Sequence, residues 1–333
     1  MTTISVIVPA SDAPATLEAC LAAIDASARR PDEVLVVDDP SHLAPAAARN
    51  AGALRASSEL LVFVDADVVV HASAIGLLAQ RLEDERALAA VFGAYDEDPG
   101  AGGLVSGYRF LLHREVHLAG AGPAQTFWSG LGAVRRDAFL AAGGFDAQRR
   151  WLEDVDLGLR LRAAGHSITL DPAAQGKHLK HLTLRAMLRS DALERAAPWT
   201  DLLLRHRSGT RTLNLSARNR LSALAALGAL AALLARRIAP VAAALALVAA
   251  LNLSLLAAVR SARGMLAASL AVPLHALHHL AGLAGAVVGA AGWLRAGRPR
   301  GSAGSIPVSS PPPDQAPRAP AANGASSVAP PRR

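Results

Sequence analysis

Residues 60–70 read Leu60-Leu61-Val62-Phe63-Val64-Asp65-Ala66-Asp67-Val68-Val69-Val70. Five consecutive apolar residues of β-branched, leucine and aromatic types predict a fully buried strand. The chain then passes to two carboxylates, Asp65 and Asp67, and returns to an apolar run. Carboxylates at a strand end offer the hard oxygens that suit Mg2+ or Mn2+, which keep waters and substrate phosphates as their other ligands. An acid-x-acid triplet alone is more often a solvated turn. Here the preceding strand, the following valines and a second acidic strand end at Asp38-Asp39 set it apart.

Outward from that stretch, strand-like and helix-like segments alternate. Residues 4–8 read as a buried strand ended by Pro9. Asp12 and Pro14 mark the start of a helix with Leu17, Leu21 and Ile24 on one face. Residues 34–37 form a second strand, 44–56 a helix, 73–82 a helix and 88–94 a further strand. This order predicts an α/β fold with a mostly parallel, Rossmann-like sheet and helices on both faces. Ligands of such sheets gather at the carboxyl ends of strands, where both acidic pairs sit. A third acidic site, Glu153-Asp154, opens a predicted helix over 153–164, shortly after Gly143-Gly144-Phe145-Asp146. An acid pair there suits the helix dipole. It also suits a base that takes a proton from a hydroxyl, and the two roles are compatible.

Composition separates the chain into halves. Of 333 residues, 1–180 carry 16 Lys+Arg against 23 Asp+Glu, and 181–333 carry 18 against 4. The arginines of the basic half flank apolar stretches without interleaved aromatics. That favours anionic lipid headgroups and argues against nucleic acid. Cys20 is the single cysteine, so no disulfide framework is expected and a cytoplasmic catalytic face is. Met1-Thr2-Thr3 leads directly into the first strand, without the basic start of a signal peptide.

Residues 181–220 predict an amphipathic segment lying in the headgroup plane. Leu184, Met187, Leu188 and Leu193 oppose Arg185, Arg189, Asp191, Glu194 and Arg195, and Trp199 follows; an ordinary surface helix is the alternative. Residues 221–295 hold three uncharged stretches, at 221–235, 238–259 and 264–294. The second and third are long enough to span about 30 Å of hydrocarbon. The first is short by itself and borrows from its flanks, in a hairpin with Arg236-Arg237 and Pro240 at its tip. Two to three crossings follow, making a multi-pass cell-membrane protein. His275, His278 and His279, at helical spacing, suit interhelical hydrogen bonds better than haem or metal. From 296 to 333 the chain is Pro-, Ser- and Ala-rich, and a disordered tail is expected.

Taken together, the motifs of residues 3–180 resemble the family 2 glycosyltransferases with the GT-A fold. The matching residues are Ser5-Val6-Ile7-Val8-Pro9, Val36-Val37-Asp38-Asp39, Ala48-Arg49-Asn50-Ala51-Gly52 and Phe63-Val64-Asp65-Ala66-Asp67. They continue with Ser129-Gly130, Gly143-Gly144-Phe145-Asp146 and Glu153-Asp154-Val155-Asp156-Leu157. The stretch His178-Leu179-Lys180 with Thr183-Leu184, Asp191, Arg195-Ala196 and Pro198-Trp199 resembles membrane-attached bacterial members. The resemblance implies that Pro9 and Asp39 line the nucleotide pocket and that Arg49 approaches the base or diphosphate. It implies that Asp65 binds ribose or metal-bound water, that Asp67 binds Mg2+ or Mn2+, and that Ser129 and Gly130 border the donor sugar. Asp154 becomes the catalytic base, with Glu153 beside it, and His178 a further metal or diphosphate contact. The implied reaction is inverting transfer from a nucleotide-diphosphate sugar to a lipid-linked or membrane-proximal acceptor.

Two departures stand out. Pro40-Ser41 follows Asp38-Asp39 where the family often has Gly-Ser. Gln148-Arg149-Arg150-Trp151 superficially matches the QxxRW motif of processive synthases, but it precedes Glu153-Asp154, and transfer of single sugars is expected. A nucleotidyltransferase would need a Gly-rich loop after the first strand, which Ala10-Ser11-Asp12-Ala13 does not supply. A catalytically silent nucleotide-binding or scaffold membrane protein remains a third reading.

Overall fold

A computed structural model describes residues 1–11, 14–38, 43–206 and 216–296. Asp12, Asp39, Pro40, Ser41 and the tail from 297 onward lie outside the described residues. The sheet strands are β1 (Ile4–Pro9), β2 (Glu33–Val37), β3 (Leu60–Val64), β4 (Val68–Val70), β5 (Leu88–Tyr95), β6 (Gly122–Pro123), β7 (Leu131–Arg135) and β8 (Ser167–His178). Between them lie α1 (Leu17–Asp25), α2 (Pro45–Arg55), α3 (Ala74–Asp84), α4 (Leu104–Ala119), α5 (Arg136–Ala141) and α6 (Glu153–Ala163).

The sheet order is β2-β1-β3-β7-β5-β8-β4, with β6 paired to β8. β2, β1 and β3 pair in parallel, as do β5 and β8, while β7 is antiparallel to both β3 and β5. β4 and β6 run antiparallel to β8. The mostly parallel core is therefore the expected one, with β7 inserted through its middle. Every residue of β3 and β5 is buried, as continuous apolar strands covered on both faces must be.

The C-terminal part is helical. α7 (Leu184–Arg189) runs through a π-helical turn (Ser190–Ala196) into α8 (Ala197–His206). α9 (Ala217–Leu234) and α10 (Ile238–Leu251) follow, then α11 (Leu253–Ala296), kinked at Gly264, whose φ is 85°. Arg236, at φ 57°, sits in the α9–α10 turn where the hairpin tip is expected. The uncharged stretch at 238–259 is not one helix: α10 ends at Asn252, whose side chain turns back to the Val248 carbonyl and to Ser222 Oγ. Two of the described helices, α9 and α11, are long and apolar enough to cross a membrane. Leu224, Leu233, Leu234, Leu266 and Val287 on them are exposed.

These helices do not hang free of the α/β unit. One apolar core runs from Val6, Val62 and Tyr108 into Leu255, Val259, Ala271 and Leu274 of α11. Arg263 donates to the carbonyls of Pro99 (3.1 Å) and Ala101 (2.8 Å), and Tyr108 Oη lies 2.7 Å from His275 Nδ1. His278 Nδ1 lies 2.8 Å from Asp191, and His279 Nε2 lies 2.8 Å from Ser222 Oγ. The three histidines thus reach three different helices, as interhelical hydrogen bonds require. Where α11 crosses the π-helical turn and α8, the backbones nearly touch. A Cβ on Gly285 would sit 2.2 Å from the Ala192 carbonyl oxygen, and one on Gly289 2.2 Å from that of Ala197.

Candidate active site

The site forms where β3 ends and α6 begins. Leu152 caps α6 in the left-handed region (φ 59°), a conformation that costs a bulky residue about 1–3 kcal/mol and clusters at functional sites. The turn before it is pinned from α2: the Phe145 amide donates to Asn50 Oδ1 (2.9 Å), and Asn50 Nδ2 donates to the Phe145 carbonyl (2.7 Å). Gly144, at φ 67°, allows that turn, and its missing Cβ would stand 2.8 Å from Asn50 Oδ1.

Pro45 opens α2, the position where its missing amide costs nothing. One turn on, Arg49 is buried and forked between two carboxylates, at 2.5 Å from Asp65 Oδ1 and 2.7 Å from Glu153 Oε1. Burial opposes its charge, but Asp65 and Glu153 more than offset that and raise its pKa. Arg49 therefore ties the end of β3 to the start of α6 as a permanent cation.

Asp154 has different surroundings. Its Oδ2 accepts from the Ser129 amide at 3.2 Å and its Oδ1 from its neighbour Val155 at 2.8 Å. Burial, and then the charge of Glu153, push its pKa up to about 6 in spite of Arg49. A carboxylate poised there is suited to accept a proton near neutrality.

Asp67 and His178 form the other cluster. β4 pairs with β8 so that Val68 faces His178, and the Leu179 amide donates to the Asp67 carbonyl at 2.8 Å. His178 Nε2 lies 3.3 Å from Asp67 Oδ2, and both side chains stay partly open. Burial works against the Asp67 charge, but the hydrogen bond and charge of His178, with Lys180 beyond, hold its pKa below the usual carboxylate range. Tyr95 stacks on the His178 ring at 4.8 Å and fixes its plane. A carboxylate oxygen and an imidazole nitrogen on one side, with the other side open, fit a divalent ion completed by waters and phosphate oxygens. Asp65, the other carboxylate expected at the ion, is held through its Oδ1 by Arg49. Among the described residues no group of three metal-ligating side chains occurs.

A cavity of about 290 Å³ brings Arg49, Asp65, Ser129, Glu153 and Asp154 together with Trp128, Arg109, His113, Lys180, Arg195 and Trp199. The Gly130 carbonyl accepts from the amide of Asp65, one of the lining residues, at 3.1 Å. Pro9 closes β1 opposite Val37, at the strand-end side of the sheet. Asp39 lies outside the described residues. The sequence had assigned no role to Arg109, His113 and Trp128. Arg195 and Trp199 appeared only in the amphipathic segment and in a motif of membrane-attached relatives.

Residues 41–141 match the sequence model of "Glycosyl transferase family 2". No curated protein matches the chain. Among solved structures, the chain resembles the mannosyltransferase PcManGT from Pyrobaculum calidifontis, solved in complex with GDP-Man and Mn2+. Identity is 16% over 87% of each chain, with a TM-score of 0.54. GalNAc-T7, solved with UDP, GalNAc and Mn2+, is more distant, at 14% identity over 61% of this chain and 50% of that one, TM-score 0.43. The α/β fold, the acidic strand ends and the family match agree over the stretch that is matched: residues 41–141 carry a glycosyl transferase family 2 domain.

Proposed function

We propose that the protein moves a single sugar from a nucleotide-diphosphate sugar to a hydroxyl of a lipid or lipid-linked acceptor, with inversion at the anomeric carbon. The observation that carries this reading is Asp154. It is shielded and held by the Ser129 amide, its pKa is raised to about 6, and it opens onto a cavity that Arg49 and Asp65 also line. The acceptor oxygen bonds to the anomeric carbon as the bond from that carbon to the diphosphate oxygen breaks. Asp154 receives the hydroxyl proton, and the electron pair leaves with the nucleoside diphosphate.

Asp67 and His178 would hold a Mg2+ or Mn2+ ion, which supplies neutralisation of the leaving diphosphate. The structurally similar mannosyltransferase was solved with Mn2+ and GDP-Man, which supports a divalent ion and a nucleotide sugar here. Arg49 holds Asp65 and Glu153 in place and spreads positive charge along the donor side. Pro9 and Asp39 border the nucleotide, and Ser129 and Gly130 the sugar. α9 and α11 anchor the protein in the cell membrane with the catalytic unit on the cytoplasmic side. The segment 184–206 lies along the headgroups.

The test is a panel of nucleotide sugars, offered with membrane lipid extract in the presence of Mn2+ or EDTA. Sugar should appear on the lipid fraction with one donor and vanish with EDTA. Transfer undiminished in EDTA would overturn the metal role, and binding of no nucleotide sugar would overturn the transferase reading.

A further inference from the structure

The catalytic cavity does not end at Asp154. Arg109, Arg195 and Trp199 line it, and the same three residues line a second cavity of about 420 Å³ between α8, α9 and α11. That second space is walled largely by apolar side chains, including Leu203, Leu224 and Leu283. It lies between the two helices long enough to cross a membrane. A polar chamber holding the base therefore continues into an apolar groove, and two guanidinium groups stand at the junction.

The charge at that junction is unbalanced. Asp191, almost wholly buried, sits 3.1 Å from Arg109 and 2.8 Å from His278. Arg195 has no carboxylate within ion-pair distance among the described residues and opens onto the cavity. The like charge of Arg109, followed by burial, lowers its pKa to about 10. Holding two cations together in a cleft with a carboxylate paired to only one of them is unfavourable unless an anion joins them. Trp199 Nε1 adds a buried N–H donor without a partner among the described residues, a group that ordinarily finds an acceptor.

We infer that this junction is an anion subsite for the acceptor. Arg109 and Arg195 take the phosphate of a phosphate-bearing lipid, and its hydrocarbon chain lies in the groove along Trp199, Leu203, Leu224 and Leu283. The placement directs the polar end of the lipid toward Asp154. It rests on the transferase reading for its purpose, but the binding it claims is measurable without turnover.

The experiment uses the full chain in phosphatidylcholine nanodiscs doped with chain-brominated phosphatidic acid or with diacylglycerol of the same brominated chains. Bromine quenches tryptophan at contact, and Trp199→Phe identifies the signal of Trp199. Phosphatidic acid should quench Trp199 at about tenfold lower content than diacylglycerol, the scale of one charge-assisted contact. Arg195→Gln should erase that preference. Gly282 lines the groove and has open space where its Cβ would be. Gly282→Leu therefore plugs the groove without a clash and should weaken quenching by both lipids. Equal quenching by the two lipids would overturn the phosphate subsite. Quenching that is the same in wild type and in Trp199→Phe, where Trp293 of α11 still reports the bulk lipid, would overturn the groove, and displacement of phosphatidic acid by inorganic phosphate or glycerol phosphate alone would overturn the lipid. Nucleotide-sugar binding in the same nanodiscs tests the transferase reading separately: its loss with selective quenching intact leaves the lipid site standing.

Discussion

Asp154 gives the sharpest test at the scale of single residues. Asp154→Asn keeps the shape and loses the proton acceptor. Donor affinity should hold while transfer falls by about 10²-fold or more. With a folded-state pKa of about 6, the wild-type kcat/KM should fall as pH drops through about 6, as a base becomes protonated. The same shift acts on stability with opposite sign. A carboxylate whose pKa is raised by folding binds protons more tightly folded than unfolded, so its ionised form destabilises the fold. Asp154→Asn should therefore raise the thermal midpoint at pH 7 and lose that advantage below about pH 4, near the unfolded carboxylate value. Equal melting of the two proteins at both pH values would show that Asp154 is not perturbed. For the metal, Asp67→Ala should abolish Mn2+-dependent nucleotide binding, read by calorimetry with and without EDTA. His178→Ala should retain it at about tenfold higher Mn2+, as one ligand of a partly hydrated ion is lost.

Among the elements, the sequence exposed some far better than others. β1 and β3 are legible because they are covered on both faces and so run apolar without a break. Pro9 marks the end of β1, and Asp65 marks the end of β3. α4 and β7 left no such trace. α4 starts behind Gly103 at φ 85°, without a side-chain cap, and contacts the sheet on one side and α11 on another. Its apolar residues therefore follow no single stripe. β7 carries Gly132 in its middle, crowded by the Trp128 carbonyl and the Phe127 ring, and glycine within a short run reads as a turn. Arg109 and Arg195 meet only because α4 and the π-helical turn fold against one another, which no local pattern announces. Arg49, Asp65, Glu153 and Asp154 were legible as motifs, but the fork of Arg49 between two of them was not. A stability test belongs at this scale. Gly285→Ala pushes a methyl group onto the Ala192 carbonyl and should cost about 1–3 kcal/mol. Gly292→Ala meets nothing and should be neutral or gain up to about 1 kcal/mol through helix propensity. Equal melting of the two variants would mean that α11 does not press on the π-helical turn.

For the whole molecule, the first expectation is physical attachment. Spanning helices do not depend on screened charge, so the protein should remain in the membrane pellet through high-salt and carbonate washes; release of full-length chain by carbonate would leave only surface attachment. The second consequence lies in the apolar core that passes from β1 and α4 into Leu255, Val259 and Leu274 of α11. A catalytic head with a detachable anchor could be trimmed, fused to another tail or exchanged between proteins with little penalty. This one could not: cutting after α8 would leave Tyr108 and its neighbours facing water and strip Arg263 from the loop that precedes α4. Changes to the C-terminal helices and to the α/β unit are thus constrained to occur in concert, and a chimera carrying foreign C-terminal helices would inherit a wounded enzyme.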